Sequence, residues 1–116
     1  MAIVTTHVLN AVDGTHANGI AVSLRCLDPE TEVARGVTDE GGRLVLDVDV
    51  TNISPTSNFE LVFATGDYWS TFLNSCPDKQ IIAEVVLRFR MPEPSGKYHR
   101  PIIISPNGYS TWMSGD

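Results

Sequence analysis

The sequence predicts an all-β domain, a seven- to eight-stranded antiparallel β-sandwich with one short helix. Three observations lead there. Short runs with period-two alternation recur along the chain, turn residues separate them at regular spacing, and one segment alone carries a helix-start signal. With no helices between the strands, the crossovers of a parallel α/β sheet have nothing to be built from.

Ile3 to Leu9 is rich in β-branched residues, and Asp13-Gly14 and Asn18-Gly19 mark the turns that follow. Ile20 to Leu27 alternates, with Ile20, Val22, Leu24 and Cys26 on one face, until Asp28-Pro29-Glu30 breaks it. Val33 to Thr38 reads as a short edge strand, and Asp39-Glu40-Gly41-Gly42 as a turn. Arg43 to Val48 then places Arg43, Val45 and Asp47 together, opposite Leu44, Leu46 and Val48. Asn52 to Asn58 is a loop and Phe59 to Ala64 a strand. Thr65-Gly66-Asp67 offers an N-cap for a helix through Leu73. Ile81 to Arg90 reads as the longest strand. Tyr98 to Ile104 is the next, entered past Pro94-Ser95-Gly96. Pro106-Asn107-Gly108 turns the chain into a last strand, Tyr109 to Trp112.

A chain of 116 residues fits one domain, residues 1–116, with no low-complexity linker and no internal repeat. A domain of this size has a poor surface-to-volume ratio, so self-association is a natural way to gain burial. The net charge of −6 with only 8 Lys and Arg argues against nucleic acid and against anionic membrane surfaces as partners. Cys26 and Cys76 have no metal-type spacing and read as free thiols of a reduced protein. No signal-peptide pattern, membrane-spanning run or peroxisomal address is visible, and the expected location is the cytoplasm.

Residues able to carry chemistry are few. His16 lies in a Gly- and Asn-containing turn and reads as simply exposed. His7 sits mid-strand beside Thr5 and Thr6, and His99 heads the run Tyr98-His99-Arg100-Pro101-Ile102. Arg43 opens a strand after a Gly-Gly turn. Taken singly, each reads more readily as structural than as catalytic, although a neutral imidazole is well suited to taking a proton from water near pH 7. Tyr109-Ser110-Thr111-Trp112 is a polar aromatic strand suited to an edge or an interface. The sequence holds no metal-ligand cluster, phosphate-binding glycine loop or nucleophile elbow, and no cofactor is expected.

Taken together these segments resemble the transthyretin-like family, and within it the 5-hydroxyisourate hydrolase branch. Thr5-Thr6-His7-Val8-Leu9-Asn10 is similar to the family's N-terminal His-Val-Leu-Asp signature. Ala17 to Leu24, Thr38 to Leu44 and Phe59 to Tyr68 follow the family in order. The longest match is contiguous, from Tyr98 through Ser105-Pro106-Asn107-Gly108 to Thr111. The resemblance implies an eight-stranded sandwich that pairs edge to edge and stacks as a homotetramer, a dimer of dimers, around a central channel. It implies a site in that channel using two His, one Arg and the C-terminal strand. By position these are His7, Arg43 and His99 as catalytic groups, with Tyr109, Ser110, Thr111, Trp112 and Met113 binding a small cyclic substrate. The scheme requires no metal: imidazole takes a proton from water, and the guanidinium holds the oxyanion.

The sequence departs from the family at the tail. Trp112-Met113-Ser114-Gly115 stands where hydrolase members carry Tyr-Arg-Gly-Ser, Asn10 stands for an Asp, and Lys97 stands where many members have another His. Three readings follow. One is a divergent hydrolase opening 5-hydroxyisourate in purine breakdown. Another is the same fold and residues turned to a less polar cyclic substrate in specialised metabolism, by hydrolysis, isomerisation or decarboxylation, because Trp112 and Met113 favour apolar contact. The third is a small-ligand binding protein without catalysis.

Overall fold

A computed structural model describes residues 1–73 and 80–115. The strands are β1 (Ala2–Asn10), β2 (Ala21–Leu27), β3 (Glu30–Val37), β4 (Arg43–Val48), β5 (Asn58–Phe63), β6 (Val85–Arg90), β7 (Lys97–Ser105), β8 (Gly108–Thr111) and β9 (Ser114–Gly115). One helix, α1 (Thr65–Leu73), follows β5. The strands form two sheets. One has the order β4-β1-β7-β8, with β9 also on β7, and the other has the order β3-β2-β5-β6.

Period-two alternation accounts for the sandwich. In β1 the even-numbered residues Ala2, Val4, Thr6, Val8 and Asn10 are buried, while the odd-numbered ones are partly exposed. Leu46 and Val48 of β4 and Ile102 and Ile104 of β7 join the inner face. The facing sheet contributes Val22, Leu24 and Cys26, then Phe59, Leu61 and Phe63, then Val85, Leu87 and Phe89. Each large side chain removed from water in this way stabilises the fold by roughly 1.5–3 kcal/mol before chain entropy is opposed to it. Helix α1 closes one end with Trp69, which is buried and packs edge-on against Tyr68 and Phe72, with ring centroids 5.1 and 5.6 Å away.

Several boundaries differ from the sequence expectation. The strand expected from Ile81 begins at Val85, because the backbone N–H groups of Ile81 and Ile82 donate to Asn107 Oδ1 instead of to a neighbouring strand. Strands β1 and β7, nine residues each, are therefore longer than β6. The last predicted strand runs Gly108–Thr111, and β9 follows on the same edge of β7, pairing Tyr98 with Gly115 and His99 with Ser114. Helix α1 starts at Thr65 as expected, yet the buried Thr65 hydroxyl has no hydrogen-bond partner among the described residues. The β1–β7 pair is parallel in an otherwise antiparallel sandwich, and nearly the whole chain forms the connection that such a pair requires. Cys26 is a buried free thiol, whereas Cys76 lies outside the described residues.

Candidate active site

Strand β1 is the centre of the site because it lies between β4 and β7. Antiparallel pairing sets His7 directly opposite Arg43. Parallel pairing sets Thr5 opposite His99 and His7 opposite Pro101. His7 and His99 are thus diagonal neighbours, roughly 8 Å apart by backbone from a strand spacing of ~4.8 Å and two rises of ~3.3 Å. All three side chains belong to the outward face of the sheet, the face opposite the core, where Arg43 is exposed and both imidazoles are partly buried.

Arg43 is held by the turn before it. Asp39 Oδ1 accepts the N–H groups of Gly41 and Arg43, each at 2.9 Å, and the Asp39 carbonyl accepts from Gly42 at 2.9 Å. Gly42 has φ +71, and a Cβ at that position would collide with the Val8 carbonyl oxygen. Val8 N–H in turn donates to the Gly42 carbonyl at 2.8 Å. A residue free of Cβ is therefore what lets this turn dock on β1 and deliver Arg43 beside His7.

Each imidazole has its own partner. His99 Nδ1 lies 2.6 Å from the Thr5 hydroxyl, so its orientation is set from the strand alongside. His7 Nε2 lies 2.9 Å from His16 Nδ1, and the two rings are near-coplanar, with centroids 5.0 Å apart and 25° between planes. His16 reaches this position because the chain after β1 folds straight back. Asn10 N–H donates to the Thr15 carbonyl, Ala17 N–H donates to the Val8 carbonyl, and Leu9 bridges His16. His16 is exposed, as the sequence suggested, but it is not solitary. The readable signal was the pair of imidazoles flanking the Asp13-Gly14 turn.

Electrostatics follow from this placement. Burial, then the Arg43 guanidinium, then His16 push the His7 imidazole below its usual proton affinity, with His99 adding to the effect; the Gly41 backbone opposes it. His7 is therefore neutral at pH 7 and able to accept a proton.

The predicted substrate-binding segment divides. Ser110 pairs with Ile103, which shares the face of His99, and Trp112, just past the end of β8, is 49% exposed. Tyr109 and Thr111 pair with the core residues Ile104 and Ile102, and the Thr111 hydroxyl donates to the Pro101 carbonyl at 2.7 Å. The Met113 sulfur lies 3.5 Å from Arg100 Nη1. Asn10 is buried on the inner face. Its side chain caps the following turn by accepting from Val12 and Asp13, and it donates to the Tyr68 hydroxyl at 2.8 Å. It shapes the turn carrying His16 and does not face the cluster.

In a single chain the cluster lies on an open sheet surface. Concave surfaces occur elsewhere: a groove of about 450 Å³ beside Tyr68 and Phe72, and one of about 630 Å³ along β3 bounded by Glu32, Arg35 and Glu84. Neither includes His7, Arg43 or His99. Among the described residues no group of three or more His, Cys, Asp or Glu side chains is placed to hold a metal ion, and no helix is long and apolar enough to cross a membrane.

Comparison with known proteins gives a consistent result. The family described as the HIUase/Transthyretin family matches residues 4–114. A 5-hydroxyisourate hydrolase from Mesorhizobium japonicum is 36% identical over 93% of this chain and 88% of its own length. One from Deinococcus radiodurans is 34% identical over 93% of this chain and 92% of its own. Among solved structures, the transthyretin of Sparus aurata superposes with a TM-score of 0.79 at 26% identity, covering 97% of both chains.

Proposed function

This chain belongs to the HIUase/Transthyretin family, and from that premise we propose that it is a hydrolase that opens 5-hydroxyisourate in purine breakdown. The observation that carries the reading is the meeting of His7, Arg43 and His99 on one outward sheet face from three separate strands.

The chemistry divides among those groups. A neutral imidazole takes one proton from water, and the water oxygen bonds to the ring carbonyl carbon. Arg43 holds the oxyanion that develops there; removing one such donor typically costs about 10²–10³ in rate. As the tetrahedral species collapses, the ring C–N bond breaks and an imidazolium returns the proton to the leaving nitrogen. His7, kept neutral by its surroundings, suits both proton transfers in turn, as base and then as acid, and His99, oriented by Thr5, suits holding the substrate beside it. Ser110 borders the substrate on the β8 side.

An open sheet face excludes water poorly, and the second part of the proposal supplies a cover. Copies of the chain assemble as a dimer of dimers, with this face turned toward another copy and the substrate enclosed between them. The exposed Val45, in line with Arg43 on β4, and Trp112 provide apolar surface for that contact. A reducing cytoplasm is the setting that fits the buried thiol of Cys26.

The test is a stopped-flow assay with freshly generated 5-hydroxyisourate against an enzyme-free blank, run on the protein and on His7→Ala, Arg43→Ala and His99→Ala. Acceleration that falls with each substitution supports the reading. Turnover that survives all three refutes the site, and absence of any acceleration refutes the substrate. Light scattering that returns a monomer refutes the assembly.

A further inference from the structure

We propose that His16 is a positioning residue for His7, sharing one proton with it so that the His7 ring is held in a single orientation and a single neutral tautomer. This deepens the reading of His7 as an acid–base group and rests on that reading for its kinetic consequences.

The geometry points to a built pair. An Nε2-to-Nδ1 distance of 2.9 Å leaves room for one proton between the rings and not two, so one ring donates while the other accepts. The proton on one nitrogen of an imidazole decides the role of the other nitrogen, so a partner on His7 Nε2 also dictates what Nδ1 does. The ring centroids lie 5.0 Å apart with 25° between planes, the near-coplanar arrangement that a hydrogen bond between two ring edges requires.

The loop that presents His16 is itself tied down. The Asp13 carboxylate accepts from both the backbone and the hydroxyl of Thr15, at 2.9 and 2.6 Å. Asn10 caps the same turn, and Thr38, buried, accepts from Ile20 N–H and donates to the Ala17 carbonyl. His16 therefore approaches His7 from a braced support. The charged and titratable groups facing His7 are Arg43 from β4, His99 from β7 and His16 from this loop, with the Gly41 backbone beside them. Of these side chains His16 alone has a nitrogen at hydrogen-bond distance from the His7 ring, and the Gly41 backbone adds a hydrogen bond of its own to that ring.

Two substitutions test the idea. His16→Ala removes the partner, whereas His16→Asn restores a polar atom near the position of Nδ1 without a titratable group. In the folded wild-type protein, ¹⁵N NMR of the neutral His7 ring shows two widely separated nitrogen shifts, the signature of one tautomer. His16→Ala brings them toward averaged values, and His16→Asn separates them again. With 5-hydroxyisourate, kcat falls about 2- to 10-fold in His16→Ala, as expected for loss of one hydrogen bond, and recovers in His16→Asn. In both variants the acid limb of the pH profile moves upward, because His16 no longer depresses the proton affinity of His7. Averaged shifts in the wild-type protein, or shifts and kcat unmoved in His16→Ala, overturn the proposal. The NMR arm needs no substrate, so a wild-type protein inactive on 5-hydroxyisourate sinks the hydrolase reading while the pairing is still judged.

Discussion

The hydroxyl of Thr5 lies 2.6 Å from Nδ1 of His99, a contact between residues at opposite ends of the sequence that parallel pairing of β1 and β7 makes local. It fixes one nitrogen of the imidazole and so defines what the other presents to the open sheet face.

Removing that hydroxyl without changing volume is the direct test. Thr5→Val lowers kcat/KM about 2- to 10-fold, the value of one hydrogen bond, and Thr5→Ser retains most of the activity. Steady-state kinetics on the two variants, with thermal melts to show equal folding, check this. Equal rates for Val and wild type remove Thr5 from the site.

The proton affinity of His7 sets a pH dependence. Its folded value lies below 6.5, chiefly through burial and then through Arg43. The acid limb of kcat/KM therefore has its midpoint below 6.5, and Arg43→Met moves that midpoint upward while lowering the rate. Stability follows the same sign. Below 6.5 the unfolded chain binds more protons at this position than the folded one, so the contribution is complete above 6.5. It is lost as the pH falls through the folded value. A downward shift of the limb in Arg43→Met contradicts this electrostatic assignment.

Arg43 depends on its turn. Asp39→Ala removes the acceptor for Gly41 and Arg43 N–H, and Gly42→Ala drives a Cβ into the Val8 carbonyl. Both variants lose activity toward the level of Arg43→Ala, which is about 10²–10³ down, although neither touches the guanidinium. Gly42→Ala also melts at a lower temperature. Wild-type turnover in both variants shows that the turn does not place Arg43.

Thr38 links the loop after β1 to the end of β3. Thr38→Val keeps the shape but leaves Ile20 N–H and the Ala17 carbonyl without the hydroxyl that joins them in a buried setting. The loss is about 1–3 kcal/mol, read by denaturant titration at constant m-value. A change within ~0.5 kcal/mol, as at an ordinary surface position, contradicts the bridging role.

Much of the fold was legible locally because a strand's side chains repeat with period two. The alternation of Ile20 to Cys26 and of Arg43 to Val48 sorted their residues into the two faces that the sheets show, from neighbours alone. The residues around Ile81 misled for the same reason: an apolar run resembles a strand even where Asn107 takes up its N–H groups. Asn10 misled differently. It stands in the signature that carries His7, whereas burial assigns it to the turn and to Tyr68.

The sequence by itself determined which side of each strand an imidazole or guanidinium occupies, and its family resemblance pointed to His7, Arg43 and His99. Only the tertiary structure decided who their neighbours are. Strand order and register are summed over many weak contacts far apart in the chain, so no local pattern encodes that Arg43 faces His7 or that Thr5 reaches His99. His16 makes the point most sharply. Its type and turn suggested solvent, and the fold-back after β1 set it against His7.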